Sequence, residues 1–138
     1  MNNVLLDGMD ELSWLFQKKM VPYWLFGDFA LSLHAVAWTG EHTRVDIAFQ
    51  NDEEFEKAVR VVTEAGFVET GHEEWKGKKH EGNSYVSFFN APDGAHYALA
   101  YIKNDVDLDY LNAPEIRAFG STLRVFSEKD LKKIDPIV

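Results

Sequence analysis

The chain contains no cysteine. Structural disulfides and thiolate metal sites are therefore excluded, and a reducing, cytoplasmic setting is the expectation. Long apolar runs are missing as well. None approaches the roughly 18 residues that span a bilayer. The opening segment Met1–Met20 interleaves Asp7, Asp10 and Glu11 with its apolar positions, which is not the pattern of a secretion signal. Positive charge is scarce: 14 Lys and Arg stand against 23 Asp and Glu, a formal net charge of −9. DNA or RNA binding needs clustered positive charge and is disfavoured; a membrane is not an expected partner. The same acidity repels free nucleotides unless a local basic patch or a bound metal compensates. No P-loop, dinucleotide fingerprint, Ser/His/Asp or Cys/His arrangement is present.

What is present suits one domain, residues 1–138, with a well-filled core: 46% of residues are hydrophobic and 14% aromatic. Apolar spacing predicts a helix from Val4 to Met20, with Gly8 as its weak point and Pro22 beyond its end. Tyr23–Trp24–Leu25–Phe26 is a continuous apolar run that suits a buried strand. Gly27–Asp28 forms a turn, and Asp28 can cap a helix from Phe29 to Trp38. Arg44 to Phe49 alternates in the manner of a half-buried strand. Asn51 with Glu54 forms a capping box for a helix closed by Gly66. A short strand Phe67–Thr70 and a polar loop Glu73–Asn83 follow. Strands Ser84–Phe89 and His96–Ile102 are joined by the turn Asn90–Gly94. A hairpin pairs Ile116–Phe119 with Thr122–Phe126, and Ser127 begins a last helical turn.

Two segments carry a family likeness. Tyr23–Leu31 places a strand before Gly27–Asp28 at a helix start. Gly40–Phe49 carries His42 in a loop, followed by Arg44 and Asp46 on a strand. Together they resemble the opening motif and the metal strand of small nucleotidyltransferases, nearest to the lincosamide and aminoglycoside branch. The resemblance extends loosely over most of the chain, through Gly66–Phe67, Trp75 and Leu123–Glu128. It implies an α+β fold, an α/β sandwich whose mixed sheet packs against helices.

The family's chemistry shows what this chain retains. Two metal ions hold a nucleoside triphosphate and stabilise both oxygens of an in-line displacement at phosphorus. Magnesium demands oxygen ligands. The family provides two aspartates two residues apart, on one face of a strand, and a third from a neighbouring strand. A small residue after the turn glycine leaves phosphate room at a helix N-terminus. In this chain, aligning on Glu41–His42 puts Arg44 and Asp46 at the paired positions, and slipping by one pair puts Asp46 and Ala48 there. The third falls in Tyr97–Ala100, at Ala98. Asp28 stands where phosphate would approach.

The resemblance thus implies Gly27, Asp28, Arg44, Lys76 and Lys78 as nucleotide-side residues and Asp46 as the catalytic or metal residue. Three functions follow. The first is a non-catalytic homologue that binds a small molecule or a protein partner in the remnant cleft and needs no cofactor. The second is an active enzyme using Mg and ATP on a hydroxyl of an aminoglycoside- or lincosamide-like acceptor. The third is an antitoxin-like or structural interaction module. A homodimer is compatible with each.

Plainer readings stand beside these. Asp46 suits a solvent-facing strand residue paired with Arg44 or a lysine, and His42 a solvated loop residue that could also orient Asp46. Lys76, Lys78, Lys79 and His80 suit a solvated loop. Asp105, Asp107 and Asp109 suit an acidic loop, since Tyr110 occupies the glycine position of an EF-hand. Trp14, Trp24, Trp38 and Trp75 suit the core, with Trp38 and Trp75 best placed to line a pocket.

Overall fold

The computed structural model describes residues 2–34, 42–75, 84–102, 107–118, 121–135 and 137. The elements in order are α1 (Asn2–Lys18), β1 (Trp24–Phe26), α2 (Gly27–His34), β2 (Arg44–Phe49), α3 (Asp52–Glu64), β3 (Val68–Glu74), β4 (Tyr85–Asn90), β5 (His96–Tyr101), β6 (Glu115–Ala118), β7 (Ser121–Arg124) and α4 (Glu128–Leu131). Five strands form a mixed sheet in the order β1-β2-β5-β4-β3, and β6-β7 is a separate antiparallel pair. The one parallel contact inside the large sheet joins β2 to β5. Both are nearly continuous apolar runs, as strands covered on two faces must be.

Alternation along the strands sorts the sheet into two faces. Val45, Ile47 and Phe49 lie on the face covered by α1 and α3. Phe49 meets Phe16 of α1 at 5.6 Å and Phe55 of α3 at 6.4 Å between ring centroids, both edge-on. Arg44, Asp46 and Ala48 point to the other face. α2 leaves β1 without an intervening loop and packs on β1 and β2. A bridge from Leu25 to Val125 and the Phe126 amide donating to the Leu25 carbonyl attach the β7 end to β1.

Several local expectations hold. Asn51 is the N-cap of α3, with its side chain accepting from the Glu54 amide at 2.8 Å. Gly66 closes α3 at φ +94°, and Gly94 turns the β4–β5 hairpin at φ +92°. The Ser127 hydroxyl accepts from the Asp130 amide at 3.2 Å to start α4.

Other expectations are corrected. Asp28 lies inside the first turn of α2 rather than capping it, because the helix begins at Gly27. β2 is buried along almost its whole length, not half-buried, because both faces are covered. β3 runs to Glu74 and shortens the polar loop that follows; it is exposed and pairs on one side only. Trp14 is 63% exposed on α1 rather than in the core, whereas Trp24 and Trp75 are buried. Trp38, Gly40, Glu41, Lys76, Lys78, Lys79, His80 and Asp105 lie outside the described residues. No helix is long and apolar enough to cross a membrane among the described residues.

Candidate functional site

Asp46 sits on an interior strand of the sheet, opposite Phe26 of β1 on one side and Ala98 of β5 on the other. It is 7% exposed, so the expectation of a solvent-facing carboxylate is corrected. A buried carboxylate needs partners. Asp46 has one in Arg44, two residues along the same strand and therefore on the same face. Arg44 Nε donates to Asp46 Oδ1 at 2.6 Å, and Nη2 reaches Oδ2 at 3.5 Å. Burial pushes the Asp46 carboxyl pKa up. The hydrogen bond and charge of Arg44 oppose that rise, and the nearby Asp28 adds to it.

Gly27 completes the seat of this carboxylate. Its φ is +78°, in the left-handed region that favours glycine. A β-carbon there would collide with Asp46 Oδ2 and stand 3.1 Å from the carboxyl carbon. The β1–α2 junction therefore brings backbone, not a side chain, against Asp46.

The surrounding cleft has a volume of about 230 Å³ and is lined by Gly27, Asp28, His42, Thr43, Arg44 and Asp46, with Ile137 at its edge. The Ile137 carbonyl accepts from Arg44 Nη2 at 3.4 Å. The Arg44 guanidinium also lies over the Phe88 ring, 5.5 Å from its centroid. A neighbouring hollow of about 290 Å³ shares Thr43 and Arg44 and continues to Thr70, Phe88 and His96. Arg44 thus stands between two open spaces.

Of the residues anticipated from sequence, Gly27, Asp28, Arg44 and Asp46 converge in one cleft. His42 joins them, but its Nε2 is 2.5 Å from the Ser32 hydroxyl and its ring meets Phe29 edge-on at 5.9 Å. It is thus held to α2. Trp75 does not line this cleft; it stacks on Phe26 at 5.6 Å. Asp109 is a turn residue whose carboxylate accepts from the Asn112 amide at 3.0 Å. Thr43 and Ile137 were not anticipated. Thr43 adjoins Arg44 and was legible by adjacency, but Ile137 reaches the cleft only through the tertiary fold.

A metal pair bridging a triphosphate needs several carboxylates. Ala98 is level with Asp46 and fully buried, so the neighbouring strand gives none at that register. Ala48, the alternative second position, is also fully buried. Among the described residues no group of three or more His, Asp or Glu side chains is placed to hold a metal ion. The described donors therefore do not fit a two-metal centre.

The fold has close structural counterparts. ANT(2'')-Ia in complex with adenylyl-2''-tobramycin matches with a TM-score of 0.62 at 13% identity, over 90% of this chain and 70% of that one. The lincosamide antibiotic adenylyltransferase LnuA, lincomycin-bound, matches with a TM-score of 0.62 at 14% identity, over 90% and 81%. An inferred nucleotidyltransferase from Thermotoga maritima matches with a TM-score of 0.63 at 12% identity, over 95% and 82%. No protein-family profile matches the chain, and no curated protein does. The chain has a nucleotidyltransferase-like fold: a five-stranded mixed sheet packed against helices.

Proposed function

We propose that the protein is a non-catalytic binding module on a nucleotidyltransferase-like fold, taking a small molecule or a partner's side chain into the cleft around Asp46. The observation that carries this is the ion pair between Arg44 and Asp46, 2.6 Å apart. A guanidinium stands beside the one carboxylate that a metal would need. It satisfies that carboxylate and repels a second cation. An occupant of the cleft would instead meet the Arg44 guanidinium, the Thr43 hydroxyl, His42 and the Asp28 carboxylate around the bare Gly27 backbone. Such a mixture suits a compact polar molecule carrying both donors and acceptors.

One observation favours a second reading, an active metal-dependent nucleotidyltransferase acting on a hydroxyl of an aminoglycoside- or lincosamide-like acceptor. Asp28 is near enough to Asp46 to raise its pKa, so two carboxylates face one cleft.

Thermal unfolding with and without magnesium and ATP separates the two. A nucleotide at 100 times its dissociation constant stabilises by about 2.7 kcal/mol, a rise in Tm of roughly 10 °C for a chain of this size. The binding-module reading expects no rise. A rise that disappears in Asp46→Ala overturns the binding-module reading in favour of a metal–nucleotide site.

A further inference from the structure

The other face of the sheet carries a second cavity, of about 230 Å³, between α1 and the β4–β5 turn. Gly8, Glu11 and Leu12 of α1 line it, together with Phe67, Asp93 of the turn and Tyr97 of β5. Tyr97 is 1% exposed, yet its hydroxyl has no hydrogen-bond partner among the described residues. The hydroxyl points at α1: it lies 2.5 Å from where a β-carbon of Gly8 would stand. Glycine inside a helix costs roughly 0.5–1 kcal/mol relative to alanine, and here the missing β-carbon makes room for the Tyr97 hydroxyl against α1.

Two carboxylates flank that space. Asp93 Oδ1 accepts from the Ala95 amide at 2.9 Å, while Oδ2 lies 3.6 Å from the same Gly8 position. Glu11 is one helical turn beyond Gly8, on the same face. Neither forms an ion pair among the described residues. Both charges add to the burial that raises the Tyr97 pKa, so both act at its hydroxyl. Leu12, Phe67 and the Tyr97 ring supply apolar walls, with the two rings 5.5 Å apart. The cavity is below the roughly 300–1,000 Å³ of drug-sized sites, so its occupant is small.

We infer that this cavity binds a small organic amine, with the ammonium set between Glu11 and Asp93 and donating to the Tyr97 hydroxyl oxygen, and the apolar body against Leu12 and Phe67. An ammonium supplies donors and positive charge where the protein offers two carboxylates and a hydroxyl oxygen that can accept. This site is independent of the Asp46 cleft, from which the sheet separates it.

The test is a titration of the full chain with 2-phenylethylamine, followed by backbone amide NMR, with 2-phenylethanol as the uncharged counterpart. The expected result is saturable shifts at Gly8, Glu11 and the Asp93–Ala95 amides. The alcohol should bind about tenfold more weakly, the loss of one charge-assisted hydrogen bond. Asp93→Asn and Tyr97→Phe, which keep shape, should each weaken the amine and leave the alcohol nearly unaffected. Gly8→Ala should abolish binding of both probes, with its fold checked by circular dichroism; if that variant fails to fold, the two isosteric variants decide. Equal binding of amine and alcohol, absence of saturable shifts, or binding that survives Asp93→Asn but is lost in Arg44→Ala overturns the assignment.

Discussion

The carboxylate of Asp46 fills the space that a side chain on Gly27 would occupy. The two residues are 19 positions apart in the chain. The antiparallel pairing of β1 with β2, with Phe26 opposite Asp46, brings them together. The positive φ of Gly27 and the seat of Asp46 are therefore one structural feature.

Gly27→Ala should destabilise the protein by about 2–4 kcal/mol. The β-carbon meets a left-handed backbone and a carboxylate that cannot withdraw into a packed sheet. Urea denaturation measures this as a lower midpoint with an unchanged slope. The double variant Gly27→Ala with Asp46→Ala should recover part of the loss, since the steric component requires both side chains.

Arg44→Ala removes the partner of a buried carboxylate. The Arg44 side chain is 29% exposed, so water replaces part of what is lost, and a cost of about 1–3 kcal/mol at pH 7 is expected. The pH dependence gives the sharper readout. The Asp46 pKa is raised above its ordinary 3.8, so between that value and the folded one the native state binds more protons than the unfolded state. Stability then falls as pH rises through that window. Without Arg44 the folded pKa climbs further and the falling region extends upward. Denaturation midpoints from pH 4 to 8 should show a longer decline for Arg44→Ala than for the parent, and Asp46→Asn should remove this component.

Arg44→Asp combined with Ala98→Asp should create divalent-metal affinity. Position 44 shares a face with Asp46, and position 98 is its cross-strand partner, so three carboxylates would meet. Both changes destabilise the apo protein, because they bury negative charge. Added magnesium or manganese should raise the Tm of the double variant and leave the parent unchanged. Calorimetry that detects no metal uptake by the variant would contradict this geometry.

Asn51→Ala should cost about 1 kcal/mol through loss of the α3 cap, whose side chain accepts from the Glu54 amide at 2.8 Å. The effect should be the same at pH 5 and pH 8, unlike that of Arg44→Ala, because no charge of Asn51 is involved.

The order of elements was legible in the residues themselves. β2 occupies Arg44–Phe49, as its alternation required, and Asn51, Gly66, Gly94 and Ser127 act as the caps and turns their types suggest. These features depend on contacts within a few residues, which local sequence specifies. The likeness that singled out Gly27, Asp28, Arg44 and Asp46 also held in space, since all four line one cleft. Burial was less legible. Trp14 and Asp46 have opposite chemistries and exchanged their expected environments, Trp14 at 63% exposure and Asp46 at 7%. A residue's exposure depends on what other segments cover it, and the sequence of its own segment does not state that.

By itself, then, the sequence determined the order of helices and strands, the caps at Asn51 and Ser127, and that a single carboxylate follows Arg44 on an interior strand. Only the tertiary structure decided what that carboxylate touches. Placing Ala98 level with Asp46, laying Gly27 against it and bringing the Ile137 carbonyl to Arg44 all require pairings between distant segments. The same holds for Gly8. In the sequence it is only a weak point in a helix; in the fold it is the space that leaves the buried Tyr97 hydroxyl room to face a cavity.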